Sequence, residues 1–394
     1  MGSLLLALAS PLYAQRSPLC GGVRACRELR RLPAGPGLTV VELGYAPASE
    51  AARTNKCAPE KRWVLLKPGA APKTIVTQCQ DDPEDPHPFE TDVTVKKNLI
   101  SITRNGGAWA GILSRVYQLS PWWPLSADFC EVDGDGEWRA EEWDWRKMQG
   151  IYYDRKPQES EGLCDLIPAA IGNLIVPVVK LDAAAFEKAR AGLGSCAMTL
   201  DASGKNGFVT YGKPDAQDPL RIKLLMSGER TVLAQVVDPS RSSAPAKSWI
   251  YADHFELWQG VNEPVQFGIP LEEGPIEVGH GTAKSRPSVR RWKAQLPDGQ
   301  MATLLRIELA APEDKTFDLG FTLIYSQGAE GRRQKRLIST NKARTGSGAD
   351  VELPMALGPA DAHVTCGVVN GVLDVTGARL SSIEFRRGAL GERP

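Results

Sequence analysis

Short segments in which apolar and polar residues alternate recur along most of the chain. β-branched and aromatic residues are frequent in these segments, which in the first half cover residues 38–43, 62–66, 73–78, 89–95, 99–104, 109–119 and 143–154. Clusters of Pro, Gly, Asn and Asp separate them, as expected of turns between strands. The pattern predicts an antiparallel β domain over residues 37–160.

A second run of alternating segments fills the C-terminal half at short intervals. Its members are residues 221–226, 232–237, 248–258, 265–269, 276–278, 289–295, 303–310, 317–325, 334–339 and 364–375. Many short strands at this spacing are typical of a β-sandwich. We therefore predict a jelly-roll-like antiparallel sandwich over residues 205–380.

The stretch between these two runs lacks the alternating pattern. Residues 166–179 are largely apolar but contain prolines, and 14 residues fall short of the roughly 20 that a bilayer requires. They are interpreted as a connector. Residues 182–193 (DAAAFEKARAGL) predict one short helix, with Asp182 as its cap and Gly192 at its end. Near the N-terminus, the basic residues 24–31 predict a helical or irregular segment.

The predicted architecture is therefore all-β, with two β-rich domains and one short helix in the connector. Its parts are a signal peptide (1–14), an N-terminal segment (15–36), a Trp-rich β domain with disulfides (37–160), a connector (161–204), the sandwich (205–380) and a C-terminal tail (381–394).

Export is suggested by the first residues, MGSLLLALASPLYAQ. Residues 4–9 are apolar and Ala14 precedes a polar residue, which resembles the apolar core and cleavage site of a secretory signal. The segment lacks a positively charged start, and its apolar run is short. We predict cleavage after Ala14 and a periplasmic or secreted protein.

Eight cysteines without any CxxC pair support the same compartment. This spacing argues against zinc ribbons and thioredoxin-like sites, and favours structural disulfides formed in an oxidising environment. Sequence proximity within a domain predicts the pairs Cys20–Cys26, Cys57–Cys79 and Cys130–Cys164, and the remaining two give Cys196–Cys366.

Charge and composition narrow the range of partners. The 394 residues include 47 Lys and Arg and 47 Asp and Glu. A chain without net charge has no field that attracts nucleic acid or an anionic membrane. No transmembrane segment is predicted.

Residues 220–258 carry a family resemblance. The order is a strand, a turn, a strand ending in Val237 and Asp238, a polar loop, and then the sequence DHFELW from Asp253 to Trp258. This resembles family 9 carbohydrate-binding modules and their DOMON-like relatives, and residues 301–310 and 319–340 resemble later strands of that family. The resemblance covers roughly residues 205–376 and implies a sandwich that binds sugar.

In such modules an exposed indole packs on the apolar face of a sugar ring, and carboxylates bind its hydroxyls. The resemblance makes Trp249, Trp258 and Trp292 candidate platforms, with Asp253 and Glu256 as polar partners. Each tryptophan can equally belong to the core, an alternative that weighs most for Trp258. In a regular strand Asp253 and Glu256 face opposite sides, so they are not an obvious catalytic pair.

A second candidate surface lies in the first domain. Six of the ten tryptophans fall between residues 109 and 145. Of the adjacent Trp122 and Trp123, one must point outward in an extended strand, whereas Trp143 and Trp145 are predicted core residues. Such a surface fits a sugar or a protein partner.

Two cofactor hypotheses, calcium and haem, have less support in the sequence than sugar binding. Asp133, Asp135 and Glu137 alternate with glycines as in calcium loops, although an Asp-Gly hairpin turn explains them equally. Some relatives of the fold bind haem through one methionine and one histidine, a role open in principle to Met226 and His254. Neither cofactor is expected.

No catalytic motif accompanies these features. The sequence has no HExxH, G-x-S-x-G, P-loop or G-x-G-x-x-G. The leading prediction is an exported, non-catalytic protein that binds carbohydrate or another envelope component through the sandwich. The alternatives are a protein-binding or inhibitor protein that uses the Trp-rich domain, and a polysaccharide-active enzyme with an accessory module.

Overall fold

The computed structural model describes most of the chain. The described residues are 18–20, 26–47, 57–80, 89–106, 111–132, 138–155, 172–181, 188–228, 230–240, 249–259, 265–311, 321–329, 332–340, 362–380 and 383–386. The predicted signal peptide and the calcium candidates Asp133, Asp135 and Glu137 lie outside them.

Strands dominate these residues. In chain order they begin with β1 (Cys26–Gly35), β2 (Leu38–Tyr45), β3 (Pro59–Leu66), β4 (Lys73–Cys79), β5 (Phe89–Lys96), β6 (Leu99–Gly106), β7 (Gly111–Leu119), β8 (Trp122–Val132), β9 (Trp138–Asp144), β10 (Gln149–Arg155), β11 (Gly172–Ile175), β12 (Val178–Leu181) and β13 (Met198–Asp201). The remainder are β14 (Phe208–Tyr211), β15 (Arg221–Ser227), β16 (Thr231–Val237), β17 (His254–Gln259), β18 (Val265–Pro270), β19 (Glu277–His280), β20 (Ser288–Gln295), β21 (Met301–Glu308), β22 (Phe321–Ala329), β23 (Arg332–Ser339), β24 (Ala362–Val369), β25 (Val372–Leu380) and β26 (Ile383–Arg386). Among the described residues, 3-10 turns lie at Pro18–Cys20 and Trp249–Tyr251.

The first compact unit comprises residues 1–101 and 381–394. Its sheet has the strand order β1-β2-β3-β4-β26. Val41 and Leu43 of β2 pack with Val64 of β3 and with Cys20 and Cys26, forming a small core. Both faces of β2 are covered, since Val40 and Glu42 are buried as well as Val41 and Leu43.

Two segments predicted without strands contribute to this sheet. The basic N-terminal residues, predicted to be helical or irregular, lie in β1, which pairs antiparallel with β2. The C-terminal tail contributes β26, which pairs parallel with β4. In both cases an available strand edge outweighs weak local propensity, because pairing satisfies the backbone hydrogen bonds.

The second compact unit comprises residues 102–380. It starts with antiparallel strands in the order β6 to β11, each paired with the next along the chain. Trp143 and Trp145 of this sheet are buried and stacked, with ring centroids 5.2 Å apart. Their predicted core placement is confirmed. In this division residues 102–160 belong to the same unit as the sandwich, and the predicted domain bounds stay a prediction.

Two further sheets of this unit form the sandwich. One has the order β20-β21-β16-β15-β12-β24-β25, with β13 paired to β15; the other has the order β14-β23-β22-β17-β18-β19. Alternate residues of both sheets share one core, including Leu224 of β15, Ala234 of β16, Phe255 and Leu257 of β17, and Phe267 of β18. The predicted all-β class is confirmed.

The predicted connector is part of this architecture. Residues 172–175 form β11, which pairs with β10, and residues 178–181 form β12, which lies between β15 and β24 with parallel pairing to both. Pro177 lies between β11 and β12, so it separates these strands without preventing their pairing. Residues 182–187, the first half of the helix predicted at 182–193, lie outside the described residues.

Three predicted disulfides are confirmed, namely Cys20–Cys26, Cys57–Cys79 and Cys196–Cys366. Cys164 lies outside the described residues, so the pair Cys130–Cys164 stays a prediction. Within the part of the chain that the structure describes, no helix has the length and apolar character needed to cross a membrane.

Candidate functional site

The candidate site lies on the side of β17 that faces away from the sandwich core. Phe255 and Leu257 point into the core, so the alternate residues His254, Glu256 and Trp258 point outward. We call this surface the β17 face and define it as the outward residues of β17 with their cross-strand neighbours on β18, β19 and β22. All three outward residues of β17 are nevertheless buried.

The neighbouring strands complete the β17 face. On β18, Gln266, Gly268 and Pro270 lie opposite Trp258, Glu256 and His254, and on β22, Thr322, Ile324 and Ser326 lie opposite the same three residues. Side chains directly opposite each other on antiparallel strands share a face and are close enough to interact. The result is a buried floor that mixes aromatic, acidic and hydroxyl groups.

Trp249 lies over this floor from the 3-10 turn that precedes β17. A Cβ added at Gly268 would stand 2.7 Å from Trp249 Cε2, and one added at Gly279 would stand 3.0 Å from Trp249 Cζ2. The indole therefore fits only because two strands present glycine beneath it. Its ring also meets the imidazole of His254 edge-on, with centroids 4.7 Å apart.

Tyr251, two residues after Trp249, extends the aromatic surface outward. Its side chain is 45% exposed, whereas Trp249 is half-buried. The 3-10 turn before β17 therefore carries one half-buried and one exposed aromatic ring. Flat aromatic rings at a rim offer contact area at a small entropic cost.

Hydrogen bonds orient the polar groups of the floor. His254 Nδ1 lies 2.7 Å from the carbonyl oxygen of Ala252. Because a carbonyl only accepts, Nδ1 is the donor of this hydrogen bond. Gln266 Nε2 donates to Glu256 Oε2 at 2.7 Å. The other carboxylate oxygen, Oε1, lies 3.6 Å from His254 Nε2, which is too far for a hydrogen bond.

Several buried polar atoms of the floor have no hydrogen-bond partner among the described residues. They are His254 Nε2, Trp258 Nε1, Thr322 Oγ1 and Ser326 Oγ. A buried group without a partner costs about 1–3 kcal/mol. Most buried side-chain polar atoms in folded proteins have a partner, so four unsatisfied atoms on adjacent positions of one face set this surface apart.

Trp258 lies at the far end of the floor from Trp249. It packs with Ile324 and Leu337 in a small apolar cluster. His280 of β19, which is exposed, lies beside it with ring centroids 5.7 Å apart. Trp258 is thus buried, yet it is not part of the core between the two sheets.

The other predicted ligand residues lie elsewhere. Trp292 is half-buried on the opposite sheet, against the cluster of Val237, Ala294 and Leu304. Asp253 directs Oδ1 to the backbone N–H of Gly328 at 2.6 Å. The structure therefore brings Trp249, Glu256 and Trp258 together on one face and keeps Trp292 apart.

Trp122 and Trp123 lie at the start of β8, which is paired between β7 and β9. Both are half-buried, and Trp122 stacks on Tyr117 with centroids 5.2 Å apart. Trp123 lies opposite Gln118 on β7. Neither residue contributes to the β17 face.

The haem hypothesis fails on geometry. Met226 points into the core between the two sheets, whereas His254 points away from that core. One iron between them would have to pass through a sheet, so the two side chains have no common ligand position.

Sequence reasoning missed Tyr251, Gln266, His280 and Ser326. The spacing of Trp249 and Tyr251 in SWIYADH was a visible signal, because two aromatic residues just before a strand are available to solvent. Gln266 and Ser326 gave no signal, since only strand pairing reveals that they lie opposite Trp258 and His254.

Similarity to known proteins is limited to solved structures. No protein-family model matches the sequence, and no curated protein matches it. Two solved structures of a family 9 carbohydrate-binding module from Caldicellulosiruptor kristjanssonii are similar to this chain, one in complex with cellotriose and one with glucose.

The likeness covers part of the chain. The cellotriose complex is 18% identical, with 38% of this chain and 82% of the module covered and a TM-score of 0.24. The glucose complex is 18% identical, with 38% and 83% covered and a TM-score of 0.25. Both structures belong to the family that residues 220–258 resemble in sequence.

Proposed function

We propose that this protein is an exported, non-catalytic binding protein that recognises carbohydrate at the β17 face. The observation that carries the proposal is the position of Trp249, a half-buried indole seated on Gly268 and Gly279 above a floor of buried polar groups. A pyranose ring needs this combination, an aromatic surface for its apolar side and hydrogen-bonding groups for its hydroxyls.

The hydrogen-bonding inventory of the floor supports a hydroxyl-rich ligand. Trp258 Nε1 can only donate, His254 Nε2 can only accept when neutral, and the hydroxyls of Thr322 and Ser326 can do both. Sugar hydroxyls also donate and accept, so one ring can satisfy several of these groups at once. An apolar ligand would leave all of them unpaired, at a cost for each.

The absence of a catalytic role is also a proposal. Glycoside hydrolysis needs two carboxyl groups that flank the scissile bond. Glu256 is bound by Gln266, and Asp253 is engaged with the backbone of Gly328. These two carboxylates thus bind different neighbours. Export is supported by the three confirmed disulfides, which persist in oxidising compartments.

The test is titration of the oxidised protein with a panel of soluble glycans, including glucose and cellotriose, by calorimetry. We expect Trp249→Ala to lower the affinity for the bound glycan at least about tenfold, a loss of about 1.4 kcal/mol. Trp292→Ala is the matched control, because this tryptophan is also half-buried but lies on the opposite sheet.

Equal affinities of the Trp249→Ala variant and the unaltered protein would remove the β17 face as the binding site. If Trp292→Ala instead lost binding, the site would belong on the opposite sheet. Absence of binding to every glycan would reject the proposal and direct attention to a protein partner for Trp122 and Trp123.

A further inference from the structure

Two buried aspartates bracket the stretch of chain that carries Trp249. Asp238 directly follows β16, and Asp253 directly precedes β17. The 3-10 turn with Trp249 lies between them in sequence, close to Asp253. The hydrogen bonds of these two carboxylates therefore bear on where the indole lies.

Asp238 is bound by side chains of β22 and by its own turn. Its Oδ2 accepts hydrogen bonds from Tyr325 Oη at 3.0 Å and from Gln327 Nε2 at 3.1 Å. Its Oδ1 accepts from the backbone N–H of Ser240 at 2.9 Å and from the Ser240 hydroxyl at 2.8 Å. Both oxygens thus act only as acceptors, which is the pattern of a carboxylate rather than an amide.

The side chain of Gln327 is oriented by a further contact. Its Oε1 accepts from Arg336 Nη1 at 3.3 Å. Because a guanidinium only donates, this bond turns the amide nitrogen toward Asp238. The same nitrogen also donates to Ser240 Oγ at 2.9 Å. The donor that faces Asp238 is therefore fixed by β23.

Asp253 binds the next residue of β22. Its Oδ1 accepts from the backbone N–H of Gly328 at 2.6 Å. Its own carbonyl oxygen accepts from the backbone N–H of Leu271 at 3.0 Å, just beyond β18. Gly328 directly follows Gln327, so both ends of the stretch 239–252 are bonded to adjacent residues of one strand. A stretch of chain whose two ends are held together has fewer conformations open to it.

The seat of Trp249 leaves little room for displacement. A Cβ added at Gly268 would stand 2.7 Å from Trp249 Cε2, and the ring meets His254 edge-on with centroids 4.7 Å apart. Contacts this close are lost if the turn moves relative to β18, because packing forces fall steeply with distance. The position of the ring therefore requires a fixed turn.

We propose that Asp238 and Asp253 are positioning residues, which hold the Trp249 ring over Gly268 by binding β22 on either side of the turn. The effect on the ring needs no ligand. The effect on glycan affinity rests on the proposed carbohydrate-binding function. Loss of either set of bonds displaces the indole and, through the indole, weakens binding.

Asp238→Asn is the first test. Asparagine has nearly the same shape, but its NH₂ group would face donors in place of an acceptor. The measurement is 19F NMR of protein labelled with 5-fluorotryptophan, with Trp249→Phe and Trp292→Phe identifying two of the signals. Without ligand, we expect the Trp249 signal to shift or broaden and the Trp292 signal, from the opposite sheet, to stay in place. Glycan affinity should fall about threefold to tenfold.

A pair of variants at Asp253 provides rescue by a conservative change. Asp253→Ala removes the acceptor of the Gly328 N–H and should displace the Trp249 signal in the same way. Asp253→Asn retains an oxygen acceptor for that N–H, so the signal should return to its original position. A role in stability alone does not require the signal and the affinity to change together in this order.

Asp201→Asn is the matched control. Asp201 is also buried and accepts from neutral donors, the backbone N–H of Ser203 at 2.9 Å and Asn206 Nδ2 at 2.8 Å. It lies at the end of β13 and is not bonded to β22 through these contacts. We expect a loss of stability with no change in the Trp249 signal or in glycan affinity.

The outcomes separate this inference from the proposed function. A Trp249 signal that stays in place in folded Asp238→Asn and Asp253→Ala, or that moves equally in Asp201→Asn, would overturn the positioning role. A displaced signal with unchanged glycan affinity would uphold that role and remove Trp249 from the binding site. If Asp238→Asn does not fold, Tyr325→Phe, which removes one donor to Asp238, should give a smaller shift of the same signal, and no shift would overturn the role.

Discussion

The indole of Trp249 lies directly against Gly268, and a Cβ at that glycine would come within 2.7 Å of Trp249 Cε2. Contacts this short do not occur in folded proteins, so the observed position of the Trp249 ring requires glycine at residue 268. Glycine on β18 allows the ring to lie on the sheet, and the ring in turn covers backbone that a larger side chain would otherwise cover. The position of Trp249 at the candidate site depends on this contact.

We predict that Gly268→Ala displaces Trp249 and lowers glycan affinity at least about tenfold, because the added methyl occupies the position of the ring. The measurement is calorimetric titration, with Trp fluorescence reporting the altered environment of the indole. Gly274→Ala is the control, since a Cβ there would make an ordinary 3.4 Å contact with Pro270. Unchanged affinity in the Gly268→Ala variant would show that binding does not use Trp249.

The hydroxyl of Ser326 gives a second prediction. Ser326 is fully buried, and its Oγ has no partner among the described residues. Ser326→Ala should leave the unfolding free energy unchanged or raise it by up to about 1 kcal/mol, because it removes an unsatisfied polar group. The same variant should bind glycan several-fold more weakly.

Thr340→Val is the matched control for that prediction. Thr340 Oγ1 accepts a hydrogen bond from the backbone N–H of Leu323 at 3.2 Å. Its loss should lower the unfolding free energy by about 1 kcal/mol with no effect on glycan affinity. Chemical denaturation and titration together distinguish the two hydroxyls; a Ser326→Ala variant that binds normally would exclude the floor from ligand contact.

The Cys196–Cys366 disulfide should stabilise the second unit strongly. The two cysteines are 170 residues apart in sequence, and in the chain-entropy model closure of a loop this long contributes about 5 kcal/mol. We expect the Cys196→Ala/Cys366→Ala double variant to unfold at a much lower denaturant concentration. The Cys20–Cys26 pair closes a short loop, with a separation of 6, and its removal should cost about 2 kcal/mol. Equal losses would contradict the entropic explanation.

Two carboxylates on β8 and β9, Asp128 and Asp144, should affect the free energy of unfolding with opposite signs. Asp128 lies opposite Glu142 on the neighbouring strand, and its pKa is raised, first by desolvation and then by the charge of Glu142. An acid with a raised pKa in the folded state destabilises the protein when ionised, and this penalty disappears as pH falls through that pKa. Asp128→Asn should therefore raise stability by about 0.5 kcal/mol at pH 7, with no gain at acid pH.

Asp144 provides the comparison. Desolvation by burial raises the pKa of Asp144. The hydrogen bonds and charge of Arg146, together with the charge of Lys147, outweigh this effect, so the pKa is lowered overall. Its stabilising effect is present above the unfolded-state pKa and is lost as pH falls toward the lowered value. Asp144→Asn should lower stability by about 0.5 kcal/mol at neutral pH. Denaturation curves at pH 7 and pH 4 check both variants, and shifts of the same sign would refute the assignment.

The sequence by itself determined most of the strands and much of the covalent framework. Alternation at period two fixed which residues of β17 share a side, because a side chain in a strand can point in only two directions. It therefore already separated Phe255 and Leu257 from His254, Glu256 and Trp258. Sequence proximity was enough for the short disulfides, because cysteines close in sequence meet at a small entropic cost.

Only the tertiary structure decided which strands lie beside each other, and hence which side chains meet. The partners of β17 are β18, its neighbour in sequence, and β22, more than sixty residues away, so Ser326 and Gln266 could not be assigned to the site beforehand. The same long-range pairing moved Trp292 to the opposite sheet and drew the C-terminal tail into the first unit as β26. Local patterns determine the direction of a side chain, but its neighbours depend on strand order, which is set by burial summed over the whole fold.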